Sequence, residues 1–196
     1  MVPLSTPSEV LAGHVRAHYN ALYDYGVKLT GGDTNLAKDC IQETFVAFWQ
    51  HRDEWDTLGS VRAYLLVCLR RKVIDAHRAR QRFVPTLTLT DSDEEFVAQT
   101  DFAFNPDEAE GQESTPHGPL AQALDRLTRR QREAIFLRFF QELDYPDVAR
   151  VMGVRERTVY NLVHEGLQQL RHQLPSRRVL LAGLSAGLLL LGWIFF

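Results

Sequence analysis

"YPDVARVMGVRERTVYNLVHEGLQQLRHQ", residues 145–173, decides the fold. Asp144 can cap a first helix, Pro146 is tolerated in its first turn, Gly153 makes a tight turn, and a last helix runs from about Glu156 to Gln173. Helix, short glycine turn, helix is the outline of a helix-turn-helix. Along the last helix Val159, Leu162, Val163, Leu167 and Leu170 recur on one side, while Arg157, Thr158, Tyr160, Asn161 and His164 lie outward near the N-terminal half. A helix that enters the DNA major groove needs this division, with an apolar back docked on its domain and a front of donors for phosphates and base edges. An ordinary solvated helical hairpin shows the same spacing, so the pattern alone leaves both readings open.

Upstream, "TRRQ" at 128–131 reads as a capping box opening a helix through Phe140, and the unit begins at Leu120. Before it, residues 85–119 are rich in Pro, Gly, Ser, Thr, Asp and Glu and hold no lasting period, which predicts a flexible linker of roughly 30–35 Å as a random coil. This segment carries nine of the 25 acidic residues and none of the 22 basic ones. The net charge of -3 therefore conceals two mildly basic flanks, each a candidate for binding a polyanion.

The first unit is helical as well. "TPSE" at 6–9 is a second capping box, and Leu11, Val15, Tyr19, Leu22, Gly26 and Leu29 form one apolar stripe until "TGGD" stops it. A helix after Asp33 or Thr34 turns Leu36, Ala37, Cys40, Ile41, Phe45, Phe48 and Trp49 inward and Asp39, Gln42, Glu43 and Val46 outward. After the loop "HRDEWDTLGS", a third helix runs from about Val61 to Arg82, with Leu66, Leu69, Val73 and Ala76 inward and Arg71, Arg78 and Arg82 outward. Its stretch "VCLRRKVIDAHRARQR", residues 67–82, sets six Arg or Lys against one Asp. A solvated basic face is the plain reading. Trp49, Trp55 and Tyr64 nearby favour single-stranded nucleic acid, which is held by cations on phosphates and aromatic faces on bases. Trp55 lies in a polar loop, where it can stack on a base or act as a lid over the core.

The predicted fold is all-α: two small helical domains, residues 1–84 and 120–174, joined by the acidic linker 85–119 and followed by a hydrophobic tail, 175–196. Cys40 and Cys68 lack a CxxC partner, so buried reduced thiols are expected rather than a disulfide or zinc site. The N-terminus has no basic leader or apolar run, so the first domain is expected to stay in the cytosol. His14 and His18 are spaced as metal ligands on a helix, yet no acidic or Cys partner lies nearby and no metal is expected. There is no GxSxG, no phosphate-binding loop and no persuasive carboxylate pair, so nothing supports an enzyme, and no cofactor is implied.

"LYDYGVKLTGGDTNLAKDCIQETFVAFWQHRDEWDTLGSVRAYLLVCLRRKVIDAHRARQR" resembles region 2 of bacterial sigma factors of the extracytoplasmic-function (ECF) group. "LAQALDRLTRRQREAIFLRFFQELDYPDVARVMGVRERTVYNLVHEGLQQLR" is similar to region 4 of the same group. The resemblance implies a subunit that brings RNA polymerase to promoters and assists their melting. By it, "DCIQETF" matches a motif that docks on the polymerase clamp helices, through Asp39, Gln42 and Glu43, with Val46 on the same face. The loop 53–60 matches a segment that captures a flipped base of the -10 element, and 62–82 the helix that melts and reads it. Trp55, Ser60, Arg62, Arg71, Lys72 and Arg78 are the residues assigned there. Arg155, Arg157, Thr158, Tyr160, Asn161 and His164 are assigned to the -35 duplex. The acidic linker matches a segment that threads toward the active-site and RNA-exit channel, and an anti-sigma factor is a usual partner.

The chain departs from the family in two places. Arg155 stands where the recognition helix usually opens with Ser or Thr, which loses a cap worth about 1 kcal/mol and gains a phosphate contact. The tail after Arg177 and Arg178 has 18 uncharged residues, 179–196, about 27 Å of helix, enough to span a bilayer with Trp193 near the far interface. Gly183 and Gly187 form a GxxxG. The tail either anchors the protein in the inner membrane or packs against a regulator. Two further readings stand beside the sigma factor: a stand-alone helix-turn-helix regulator, and a membrane-anchored adaptor whose domains bind proteins.

Overall fold

The structure is a computed structural model and describes residues 6–82, 102 and 119–174. Among these, regular structure is entirely helical: α1 (Pro7–Leu29), α2 (Thr34–Gln50), a 3-10 turn (Arg52–Thr57), α3 (Val61–Arg82), α4 (Pro119–Asp125), α5 (Arg129–Ile135), a π turn (Phe136–Phe140), α6 (Tyr145–Met152) and α7 (Glu156–Gln173). The chain divides into two compact units, Met1–Asp101 and Phe102–Phe196.

In the first unit α1, α2 and α3 pack pairwise on one another. Thr6 starts α1 through both halves of its capping box: its N–H donates to Glu9 Oε2 at 2.7 Å, and Glu9 N–H donates to Thr6 Oγ1 at 3.4 Å. Gly31 and Gly32 end the turn after α1 at φ 65° and 95°, a region open to glycine, and Asp33 then caps α2 by accepting from Leu36 N–H at 2.9 Å. Leu22, Leu29, Leu36, Ala37, Cys40, Ile41, Phe48, Leu66, Leu69 and Val73 are buried as their spacing predicts. Leu11, Val15, Phe45, Trp49 and Ala76 are only half-buried, and Tyr19 is 37% exposed with its ring against Tyr23 at 6.2 Å. Tyr25 and Leu65 fill core positions instead. Thr44, a polar residue inside the apolar stripe, is fully buried because its hydroxyl donates to Cys40 O at 2.8 Å.

In the second unit α5 and α6 pack on α7. Thr128 and Gln131 form the expected capping box, and Asp144 Oδ1 accepts from Asp147 N–H at 2.8 Å at the start of α6. The helix predicted to continue through Phe140 widens after Ile135 into the π turn, where Gln141 N–H donates to Phe136 O at 3.0 Å. The chain then reverses at Glu142, which holds φ 53°. Gly153 makes the tight turn that the sequence predicts between α6 and α7, in the left-handed region at φ 68°. Val159, Val163, Leu167 and Leu170 are buried, and Leu162 is half-buried. Gly166 lies where α7 meets α5: a Cβ there would stand 2.8 Å from Ile135 Cδ1.

Phe102, which composition places within the linker, is fully buried and belongs to the second unit. The rest of the linker, 85–118, lies outside the described residues, as does the tail, 175–196, on which the membrane reading rests. No helix among the described residues is long and apolar enough to cross a membrane.

Candidate polymerase and nucleic-acid interfaces

The outer face of α2 carries Asp39, Gln42, Glu43 and Val46, all exposed, with Val46 57% exposed. With Ala47, Gln50 and Lys72 they line an open groove of about 540 Å³. Lys72 reaches over from α3 and sets its Nζ 3.2 Å from Glu43 Oε2. Behind this face, burial and then the charges of Glu43 and Asp39 push the Cys40 thiol up to about 11, so it stays protonated and inert. An exposed valine ringed by carboxylates and amides is what a polar docking face with one apolar contact requires.

The second face gathers the 3-10 turn and α3. Trp55 is half-buried: its Nε1–H donates to Phe48 O at 2.9 Å and its ring stacks on Phe48 at 4.5 Å. His14 meets it edge-on at 5.6 Å and Trp49 at 6.2 Å. One face of the indole thus covers the core, and the position of the turn is fixed by that contact. Ser60 accepts from Ala63 N–H at 3.2 Å, which caps α3. Arg62 is half-buried near His18, whose imidazole is held below its ordinary value by burial and then by His14 and Arg62. His14 and His18 stack at 5.9 Å, and no group of three or more His, Cys, Asp or Glu placed for a metal occurs among the described residues.

The basic helix is partly engaged within the protein. Arg80 Nη1 donates to Asp33 Oδ2 at 3.0 Å, Lys72 pairs with Glu43, and Arg78 lies 4.0 Å from Asp75. Asp33 is held below the usual carboxylate range, first by the Leu36 N–H and then by Arg80. Arg71 is exposed. The side chain of Arg82 lies outside the described residues.

On α7, Arg155, Arg157, Tyr160, Asn161 and His164 are exposed and Thr158 is half-buried. Arg155 occupies the N-cap with φ -73° and ψ 146° and makes no side-chain cap, as its replacement of Ser or Thr predicts. Tyr160 stands in an aromatic column, 5.9 Å from Tyr145 and 6.1 Å from a nearly parallel His164, and Gln168 Nε2 lies 3.0 Å from His164 Nε2. Arg138 closes the far side over Tyr145 at 5.4 Å and donates to Leu143 O at 3.3 Å. Sequence reasoning missed Tyr145 and Arg138. Their only sequence signal is an aromatic residue at the first position of α6 facing the turn.

A helical unit with an acidic, amide-rich outer face and a basic helix is followed along the chain by a helix-turn-helix unit, and both units match known families of transcription initiation factors. Residues 14–83 match the family Sigma-70 region 2, and residues 117–170 match Sigma-70, region 4. The ECF RNA polymerase sigma factor SigL of Mycobacterium tuberculosis is 30% identical over 155 residues, 79% of this chain and 82% of that protein. SigK of Mycobacterium bovis, also an ECF RNA polymerase sigma factor, is 25% identical over 173 residues, 83% of this chain and 88% of that one. The sigma factor RpoE from Bartonella quintana, solved with the anti-sigma factor NepR, has the same fold, with a TM-score of 0.62 at 23% identity over 87% of this chain and 99% of that one. CnrH, solved with the cytosolic domain of CnrY, follows at a TM-score of 0.53 and 21% identity over 84% and 87%. The chain belongs to the ECF group of RNA polymerase sigma factors, non-enzymatic proteins that direct RNA polymerase in transcription initiation.

Proposed function

We propose that the two units divide promoter recognition between them. The face of α2 built from Asp39, Gln42, Glu43 and Val46 docks on the clamp helices of core polymerase. The observation that carries this is Val46, a large apolar side chain left 57% exposed in a groove that it lines together with Asp39, Gln42 and Glu43. Trp55, Ser60, Arg62, Arg71, Lys72 and Arg78 act at the -10 element. The indole and Ser60 set the shape of the turn, while the cations meet phosphates of the separated strand. Arg155, Arg157, Thr158, Tyr160, Asn161 and His164 face the -35 duplex from α7.

An anti-sigma factor is a partner of this chain by analogy with RpoE and CnrH, each solved with a protein bound. The apolar residues 179–196 behind Arg177 and Arg178 support a tether to the inner membrane.

Pull-down of core polymerase by the chain lacking its tail tests the docking face. Retention by the wild-type protein and loss with Val46→Asp or Glu43→Lys, at unchanged helicity, is the expected result. Equal retention by all three rejects the assignment of α2. Carbonate washing of membranes from cells making the full chain tests the tether, which fails if the protein is released.

A further inference from the structure

Between Arg82 and Pro119 the structure describes a single residue, Phe102. It is fully buried, and its ring meets Phe136 edge-on at 5.8 Å. Phe136 is itself buried in the π turn, where it stacks on Phe140 at 5.7 Å. The second unit begins at Phe102, although α4 begins only at Pro119. Phe136 in the π turn thus meets both Phe102 and Phe140, which gives that turn a packing role as well as a bend.

We propose that Phe102 anchors the linker on the region 4 unit and so sets the length of chain that separates the two DNA-binding units. It is then a specificity determinant for the distance between the -10 and -35 elements. Fixing Phe102 leaves 19 residues, 83–101, to connect the units in place of the 36 of 83–118. A shorter tether tolerates less variation in promoter spacing.

The test compares two placements of one Gly/Ser insertion of about ten residues, between residues 90 and 91 or between residues 110 and 111. Neither replaces Phe102 or Phe136. In the free full chain, dyes carried on encoded handles at exposed Asn35 and Gln169 report the distance between the units. The first insertion lengthens that distance and the second leaves it unchanged, and Phe102→Ser makes the two equivalent. In holoenzyme, the first insertion widens the range of promoter spacings that are transcribed and the second does not. Equal effects of the two insertions in wild-type protein overturn the proposal. The spacing measurement rests on the proposed function and the dye measurement does not. Failure of all transcription therefore counts against that function, while the dyes still decide the anchor.

Discussion

Lys72 Nζ on α3 lies 3.2 Å from Glu43 Oε2 on α2, so a residue assigned to promoter DNA neutralises one assigned to polymerase. Both side chains are well exposed, at 38% and 63%, and such a pair contributes at most about 1 kcal/mol to stability. Glu43→Lys should therefore leave the melting temperature nearly unchanged while weakening core-polymerase binding roughly tenfold, about 1.4 kcal/mol. Adding Lys72→Glu rebuilds the ion pair with its charges exchanged. Binding should stay weak in that double variant, measured by titration of labelled protein with core enzyme. Recovery would mean that the pair, not the acidic surface, is what polymerase requires.

Gly166 makes a prediction whose sign depends on its neighbour. Its Cβ would stand 2.8 Å from Ile135 Cδ1 in a fully buried contact between α5 and α7. Overpacking costs about 1–3 kcal/mol, against a helix-propensity gain of about 1 kcal/mol for Gly→Ala. Gly166→Ala alone should destabilise the protein by about 1 kcal/mol. With Ile135→Val removing the obstructing methyl, the same change should become stabilising. Chemical denaturation of the four proteins in the cycle measures both signs.

Arg155 holds an N-cap geometry without the side-chain oxygen that a cap uses. Arg155→Ser should stabilise the helix-turn-helix by about 1 kcal/mol. It should also weaken holoenzyme binding to -35 duplex and reduce the salt dependence by about one ion. A stability gain with unchanged salt dependence would remove Arg155 from the DNA contacts.

Cys40 and Tyr64 predict a loss of stability at high pH. Burial is the main cause in both, raising Cys40 to about 11 and Tyr64 to about 12. In the unfolded chain the Cys40 thiol ionises at its ordinary value of 9.0, so between that pH and about 11 the unfolded state binds fewer protons than the folded one. Stability is thus complete below pH 9 and falls as pH rises through this window. Urea midpoints at pH 8 and pH 10.5 should differ less in Cys40→Ala than in wild type. An equal drop in both would assign the loss to other groups.

The helices were legible because their signals are local. The capping residues Thr6, Asp33, Thr128 and Asp144 all act on N–H groups three residues away, and the apolar stripes follow the helical repeat. The surprises are non-local or depend on an extra backbone residue. Arg80 reaches Asp33 across 47 positions, so the count of basic residues on α3 overstated what is available to DNA. Tyr19 fits the stripe by spacing, but it ends at the surface against Tyr23. Thr44 looks polar and is buried, since its hydroxyl bonds the preceding turn. The π turn after Ile135 and the burial of Phe102 follow from aromatic packing around Phe136, which periodicity does not encode. Of the site residues, the exposed faces of α2 and α7 could be read from spacing, while the Trp55 stack on Phe48 and the Tyr145–Tyr160–His164 column needed coordinates.

The central claim is that the first unit opens DNA and the second holds intact duplex, both under the control of polymerase. Run-off transcription by core enzyme with this protein, on genomic promoters offered as closed duplex and with the -10 segment already mismatched, tests it most directly. The account predicts defined transcripts from a subset of closed promoters, reduced by Glu43→Lys on both templates and by Arg71→Ala mainly on the closed ones. Equal loss with Arg71→Ala on both templates, or no transcript beyond core enzyme alone on any template, would contradict it.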